Sequence, residues 1–396
     1  MKAYVVANPA PLPPFGKPVS AFRFKEGTLG ERLDAQLRAA GLEVVKVDRA
    51  DQATPRSIVV TDDVVLSKRF LTRFLAAIAD PARSYQAEIE CGRFTLLASA
   101  SAPATWRALP LTYRGDTAAA PEPVRLQPTA VFEFTEGLPA RMHLMTDIKV
   151  YFFDIWAVPI AYWFDLQTAS SLYTRELVAD LIGKFRGKVP GRILSWFTSS
   201  PWVMSKCNRI GKKTRIHRTA ILEGCVVGDG VEIGPYAYLR SSVIGDGAVI
   251  REKSSIKMSY IGPKAFIMGS DVVNTYVGAE TSIFTPMLYN VLFGERGFLS
   301  GGSGFADFIL GAASIPATIN GKQVPSGLPF LASGIGDDCF IGANLLFAPG
   351  RTIPDGTKLL DHGLIKQVPT KPDGSFVVSG TDLVQIPDAF LKRGVG

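Results

Sequence analysis

The sequence lacks the features of a membrane-spanning or disulfide-stabilised protein. No run reaches the roughly eighteen uncharged apolar residues that a helix needs to cross a bilayer. The chain opens like a strand that prolines soon interrupt, so no signal peptide is expected. The four cysteines are far apart, form no CxxC motif and are expected to be reduced and buried; they are Cys91, Cys207, Cys225 and Cys339. These absences predict a cytoplasmic protein.

Acidic residues are missing from a long basic stretch. Residues 184–218 contain ten lysines and arginines and no aspartate or glutamate. The formal net charge of +7 is modest and does not by itself indicate a nucleic-acid partner, so none is predicted. The stretch is either a solvated linker or a surface for an anionic partner: an acidic protein, a phosphate-rich ligand or lipid headgroups.

A repeat organises residues 210–359. An aliphatic residue followed by glycine recurs at steps of 17, 17, 17 and 16, and further aliphatic residues lie about six apart. A six-residue period nested in one of about eighteen predicts coils of three short strands whose inward side chains stack. Glycine fits the corners, where φ is positive or the backbones approach closely. The repeat begins at these positions: Ile210, Val227, Ile244, Ile261 and Val277. The pattern predicts a parallel β-helix.

The first part of the chain has an α/β pattern. Strands are expected at 3–6, 42–47 and 57–61, and helices at 28–40 and 68–79. This alternation predicts a mainly parallel sheet that binds ligands at the carboxyl ends of its strands. The loop from Asn8 and the pair Asp62 and Asp63 both fall at such ends. The two carboxylates could hold Mg²⁺ with a phosphate, or cap the helix that follows.

We divide the chain into four parts. Residues 1–145 form the α/β lobe and 146–204 a helical, aromatic connector. Residues 205–365 form the β-helix with an insertion at 286–332, and 366–396 are a C-terminal tail. The connector is favoured as a plug between the domains, although its aromatic residues would also suit a membrane surface. The insertion leaves the coils and is a natural place for function.

Two stretches carry a resemblance to a known family. They are Gly301-Gly-Ser-Gly-Phe-Ala-Asp307 and the segment from Asn320 to Asn344 with its Ile335-Gly-Asp-Asp turn. Both resemble segments of sugar-1-phosphate nucleotidyltransferases, above all the bifunctional N-acetylglucosamine-1-phosphate uridylyltransferase/glucosamine-1-phosphate acetyltransferases. The resemblance implies a reduced Rossmann-like, nucleotidyltransferase-type lobe followed by a left-handed parallel β-helix of hexapeptide repeats. It also implies a homotrimer.

The resemblance implies a nucleotide site in the lobe. Lys17 and Arg23 would bind the phosphates of a nucleotide or sugar phosphate, and Asp62 and Asp63 would bind Mg²⁺. The glycine-rich phosphate loop of the family is replaced here by prolines in residues 9–18, which have no backbone N–H to offer.

The resemblance implies a second, acetyl-CoA-dependent site in the β-helix. The family's motif with a catalytic histidine corresponds to Lys257-Met-Ser-Tyr260-Ile-Gly, so a lysine stands in the place of the base. A lysine is normally protonated near neutral pH and is then no base. The residues of this site would be Lys257, Tyr260 and Asn344, shared between neighbouring subunits.

Three functions stay open, and whether the chain is an enzyme is undecided. The first, narrowly favoured, is a sugar-nucleotide metabolism protein that transfers a nucleotidyl group. The second is a non-catalytic trimeric protein that binds ligands or serves as a scaffold. The third is an acyltransferase acting in the β-helix.

Overall fold

A Rossmann-like lobe precedes a left-handed parallel β-helix in the computed structural model, which confirms the predicted fold class. The structure describes residues 1–90, 106–117, 119–136, 148–186, 201–360, 375–379 and 382–386. Within these ranges, no helix is long and apolar enough to span a membrane.

The lobe is built on a six-stranded mixed sheet of order β4-β1-β5-β8-β7-β9. The strands β4, β1 and β5 are parallel, β8 runs antiparallel to β5 and β7, and β9 is parallel to β7. Strand bounds are β1 Lys2–Val6, β2 Arg23–Phe24, β3 Gly27–Thr28, β4 Glu43–Val47, β5 Ser57–Thr61, β6 Val64–Leu66, β7 Tyr85–Glu90, β8 Trp106–Arg114, β9 Glu122–Leu126, β10 Ala130–Glu136, β11 Ile148–Phe153 and β12 Ala157–Pro159.

Local interactions set the two ends of the first helix, α1. In α1, the Thr28 hydroxyl accepts from the Glu31 N–H at 3.1 Å, and the Glu31 carboxylate accepts from the Thr28 N–H at 2.8 Å. This capping box fixes the start of the helix, and Gly41, with φ of 79°, follows its end. Helix bounds are α1 Leu29–Ala39, α2 Phe70–Ala76, α3 Trp163–Arg186 and α4 Pro201–Lys206.

Three parallel sheets form the sides of the β-helix, and we name them by what they present outward. The lobe-facing sheet contains Arg209–Ile210, Val226–Val227, Val243–Ile244, Tyr260–Ile261, Tyr276–Val277, Leu292–Phe293, Ser333–Ile335 and Arg351–Ile353. The aromatic sheet contains Arg215–Ile216, Glu232–Ile233, Val249–Ile250, Phe266–Ile267, Ser282–Ile283, Phe298–Leu299, Phe340–Ile341 and Lys358–Leu359. The polar sheet contains Ile221–Glu223, Tyr238–Arg240, Ser255–Lys257, Asp271–Val273 and Met287–Tyr289.

The aliphatic-glycine repeat follows from how the coils stack. Ile244, Ile261 and Val277 point inward, are fully buried and stack on one another. A Cβ atom added at Gly262 would lie 2.6 Å from the backbone nitrogen of Ala279 in the next coil. Since no side chain tolerates that distance, the residue after the inward aliphatic one has to be glycine at this corner of the lobe-facing sheet.

The lobe and α3 cover the lobe-facing sheet. The outward side chains of Val243, Tyr260 and Tyr276 belong to one buried cluster with Leu66 of the lobe and Tyr173 of α3. A second cluster lies inside the coils. One of the three sides of the β-helix is therefore core rather than surface.

Buried charges fasten the lobe to α3. The Arg32 guanidinium donates to the Leu66 carbonyl at 2.7 Å and to the Glu176 carboxylate at 3.3 Å, and it lies 5.3 Å from the Tyr173 ring. Glu176 also accepts from the Lys68 N–H at 2.7 Å. Burial raises the pKa of Glu176, and Arg32 and Lys68 oppose that rise.

The connector is mixed rather than helical throughout. Strands β11 and β12 occupy its start, because the aromatic and β-branched residues there favour strands, and α3 begins only at Trp163. The Trp163 indole N–H donates to the Thr352 hydroxyl at 3.1 Å, and its ring fills the space left open by Gly334. The aromatic residues of this segment pack between the lobe and the β-helix.

The excursion from the coils begins later than residue 286. Met287–Tyr289, Leu292–Phe293 and Phe298–Leu299 still pair with neighbouring coils in the three sheets. Gly304–Phe305 pairs with Leu346–Phe347 in a separate two-stranded sheet, and the chain leaves the coils after it. The excursion contains a hairpin of Pro316–Ile319 and Lys322–Pro325 before the coils resume at residue 333. Of the predicted tail, the structure describes only a hairpin of Ser375–Ser379 and Asp382–Ile386.

Candidate functional site

The predicted metal ligands hold the proline-rich loop. Asp62 accepts from the Asn8 backbone N–H at 2.7 Å, and Asp63 accepts from the Asn8 side-chain amide at 2.9 Å and from the Thr61 hydroxyl. Three of the four carboxylate oxygens thus already accept hydrogen bonds. Among the described residues there is no group of three or more side chains suited to a metal ion. The pair as it stands does not fit a Mg²⁺ site.

Lys17 contacts the β-helix. Its Nζ atom lies 2.7 Å from an oxygen of Asp337, 3.4 Å from one of Glu295 and 4.7 Å from the centre of the Phe22 ring. All three charged side chains are at most 20% exposed. The ammonium group is therefore neutralised within the chain at the junction of the two domains.

The neighbouring residues of the loop serve the same junction. The Gly16 N–H donates to the Asp355 carboxylate at 2.6 Å, which fixes the loop to the last coils. Arg23 is exposed, and its carbonyl accepts from the Tyr276 hydroxyl at 3.0 Å. The structure does not bring Arg23 and Lys17 together with the Asp62 and Asp63 pair through any described contact.

Tyr260 is buried beneath the lobe. Its ring stacks on Tyr276 with centroids 5.0 Å apart and lies 6.0 Å from the Phe24 ring of the lobe. The side chain is 2% exposed, and burial raises the pKa of its phenol far above the usual value. Lys257, three residues earlier, lies in a different sheet, so the corner between them separates two residues that the sequence suggested would act together.

The outer side of the polar sheet collects ionisable side chains that the α/β lobe does not use. Equivalent strand positions in successive coils place them in two adjacent rows. We call this set the polar face; it consists of Glu223, Tyr238, Arg240, Lys257, Asp271 and Tyr289.

One end of the polar face is organised around Glu223. This buried carboxylate accepts from the Tyr238 hydroxyl at 2.9 Å and lies 3.7 Å from the Arg240 guanidinium. Burial, reinforced by the hydrogen bond to Glu223, raises the pKa of Tyr238 to about 12. The phenol stays protonated near neutral pH and acts as a donor to Glu223.

The other end of the polar face is organised around Asp271. Its Oδ2 atom accepts from the Tyr289 hydroxyl, whereas its Oδ1 atom is buried without a hydrogen-bond partner in the part of the chain that the structure describes. Burial and this hydrogen bond raise the pKa of Tyr289. Lys257 is half-buried on the neighbouring strand, diagonal to Asp271, at a Cβ separation on the order of 8 Å.

Asn344 lies far from these residues. It occupies a corner with φ of 57°, where its N–H donates to the Gly301 carbonyl at 3.2 Å. Four coils separate it from Lys257, which is about 19 Å along the axis at the spacing of adjacent strands. Lys257, Tyr260 and Asn344 do not form one site within a single chain.

Sequence reasoning missed five members of the polar face. The signal was present in the repeat, since Glu223, Arg240 and Lys257 occupy one position of the period and are spaced seventeen residues apart. Alignment of the coils in register by their aliphatic-glycine repeats is enough to place these three residues side by side.

No protein-family model matches the chain, and no curated protein is similar to it. Among solved structures, the polysialic acid O-acetyltransferase OatWY is 15% identical, covers 45% of this chain and 87% of its own, and gives a TM-score of 0.16. The polySia-specific acetyltransferase NeuO is 14% identical, covers 46% of this chain and 85% of its own, and gives a TM-score of 0.17. At these sequence identities and TM-scores, the similarity does not indicate an activity.

Proposed function

We propose that the chain is an acyltransferase of the β-helix type, with its chemistry on the polar face. The observation that carries this proposal is the contrast between the predicted nucleotide site and the polar face. Lys17 is neutralised by carboxylates and the Asp62 and Asp63 pair holds the Asn8 loop, whereas Lys257 and Asp271 have no described ion pair. A charged group that no described ion pair neutralises stays able to serve a substrate, and the described partner of Asp271 is the Tyr289 hydroxyl.

In this proposal an acyl group passes from the thioester of acetyl-CoA to an amine or hydroxyl acceptor. Asp271 takes the proton of the acceptor as that atom attacks the thioester carbonyl. The Lys257 ammonium group stabilises the oxyanion that forms on the carbonyl. The carbon–sulfur bond then breaks, and Asp271 passes the proton it has taken to the thiolate of coenzyme A as it leaves. A lysine in the place of a histidine thus acts as a cation and not as the base.

Calorimetry with acetyl-CoA and coenzyme A tests the proposal. We expect binding to wild-type protein and weaker binding to Lys257→Met. Asp271→Asn keeps the hydrogen bond from Tyr289, so this variant should still bind acetyl-CoA. It should no longer release the thiol of coenzyme A. The matched control is Lys253→Asn, which removes an exposed cation from the same coil at a corner with φ of 59° that asparagine tolerates.

Two results would decide against acyl transfer. One is the absence of binding of either coenzyme form to wild-type protein. The other is a Mg²⁺-dependent rise in melting temperature with UTP or a nucleotide sugar that Asp62→Asn removes. A ligand at a hundred times its Kd adds about 2.7 kcal/mol of apparent stability, which is easily measured. That second result would restore nucleotidyl transfer, and no shift with any ligand would favour the scaffold function.

The homotrimer also belongs to this proposal. The aromatic sheet presents a row of neighbouring phenylalanine rings outward, with centroid distances of 5.5 Å, 5.3 Å and 4.9 Å between successive members. Such an apolar row supports assembly of copies through this sheet. The rings are those of Phe266, Phe284, Phe298 and Phe340.

The cytoplasmic location is proposed from the free, buried thiols of Cys207, Cys225 and Cys339.

A further inference from the structure

The first coil of the β-helix has no described coil below it, and α4 packs against its Ile221–Glu223 strand. All three sheets begin there, and no described strand pairs with its outer edge. Ile210 and Ile216 occupy inward positions and are 43% and 38% exposed, whereas Val227 and Ile233, their equivalents one coil later, are 2% and 3% exposed. We call this end, residues 209–221, the basal face.

Cations surround the exposed isoleucines. Arg209, Lys212, Lys213 and Arg218 are exposed and make no ion pair with any described residue, while Arg215 pairs with Glu232 of the next coil. The sequence of the basal face contains no aspartate or glutamate. The face therefore combines four exposed cations that have no described ion pair with two exposed isoleucines.

Protection of open strand edges does not account for this composition. Charges of either sign keep an open edge from pairing with other chains, and inward isoleucines work against that protection. Ile221, on the outer side of the polar sheet, adds a third large apolar side chain that is 54% exposed. A single sign of charge together with exposed aliphatic groups matches a surface that is anionic outside and apolar just beneath.

We propose that the basal face binds the surface of a membrane that contains anionic lipids. The lysines and arginines contact the charged headgroups, and Ile210, Ile216 and Ile221 enter the boundary with the acyl chains. The contact is peripheral and leaves the polar face to one side of the coil stack. It is independent of whether the protein transfers an acyl group.

Vesicle flotation of the full-length chain tests this inference. Vesicles of phosphatidylcholine, with and without phosphatidylserine, are compared at low and high salt, because exposed charges are screened as salt rises. The variant Lys212→Gln/Lys213→Asn/Arg218→Gln removes three cations, and we expect its partition coefficient on anionic vesicles to fall roughly a hundredfold. Lys46→Gln/Lys253→Asn/Lys322→Gln removes the same charge elsewhere and should bind like wild type.

A second variant separates a membrane from other polyanions. Ile221→Ser should weaken binding to anionic vesicles while it leaves binding to heparin unchanged, since heparin has no apolar layer. Wild-type protein that ignores anionic vesicles but binds heparin would overturn the proposal in favour of another polyanion. Equal vesicle binding by the two triple variants would overturn it as well, because the basal face would then have no special role.

Discussion

Replacement of Lys17 by methionine distinguishes a residue that joins domains from one that binds phosphate. Methionine keeps an unbranched side chain, and it removes the ammonium group from between Asp337 and Glu295 and from its place 4.7 Å from the centre of the Phe22 ring. A charge-assisted hydrogen bond contributes about 1.5–3 kcal/mol, and two carboxylates left side by side add repulsion. We therefore expect the free energy of unfolding to fall by about 2–4 kcal/mol.

Denaturant unfolding of the whole chain measures this loss. The control is Lys46→Met, whose Nζ atom lies 2.6 Å from Asp34 but whose side chain is 53% exposed. An exposed pair contributes at most about 1 kcal/mol, so the control should unfold almost like wild type. The closest distances of the two pairs are nearly equal, so the two substitutions compare a buried ammonium group between two carboxylates with an exposed single pair.

A double-mutant cycle completes the experiment. Asp337→Asn keeps an acceptor for the Glu295 N–H while it removes the charge. In combination with Lys17→Met it should give a coupling energy of about 1–2 kcal/mol. Equal stability of Lys17→Met and Lys46→Met would refute the docking role. Loss of a nucleotide-induced melting shift in Lys17→Met at unchanged stability would show instead that the lysine binds phosphate.

Three further changes test the coils, the connector and the assembly. Gly262→Ala should lower the free energy of unfolding by about 3 kcal/mol in denaturant. Gly230→Ala, at φ of 64° with open space around it, should lower it by only about 1 kcal/mol. Equal losses would contradict the stacking argument. Burial raises the pKa of Asp165. The stability that this raised pKa contributes is fully present below the unfolded pKa of about 4 and is lost as the pH rises through the higher pKa of the folded state. Asp165→Asn should lack that decline in stability across pH titrations. Phe284→Ser should lower the mass found by light scattering, and an unchanged mass would count against assembly through the aromatic sheet.

The repeat made the β-helix predictable because its period is local. Each inward aliphatic residue and each glycine corner repeats a requirement that the adjacent coil imposes, as Gly262 and Ala279 illustrate. The capping box of Thr28 and Glu31 is equally local and sets the start of α1. A structural feature can be predicted from the sequence where the residues that cause it lie within about twenty positions of one another.

The candidate site was less predictable because its causes are distant along the chain. Lys17 is followed by proline as in a phosphate-binding loop, and nothing near it indicates that Asp337 will neutralise it. Tyr260 and Lys257 belong to one motif, but a covering lobe buries one and leaves the other accessible. The period tells which side chains point outward, and only the domain arrangement tells which outward side is covered.

The covered sheet limits where this protein can act. The lobe and α3 bury the outer side of the lobe-facing sheet, which leaves the aromatic and polar sheets as the outward sides of the coils. Phenylalanine rings dominate the outer side of the aromatic sheet, and such a surface suits contact with another copy of the chain better than acid–base chemistry. The polar sheet carries carboxylate, lysine and phenol groups at fixed positions on paired strands. If the chain transfers acyl groups, the polar face is where the described residues supply the proposed base and cation, and Lys257→Met and Asp271→Asn are the substitutions that address it.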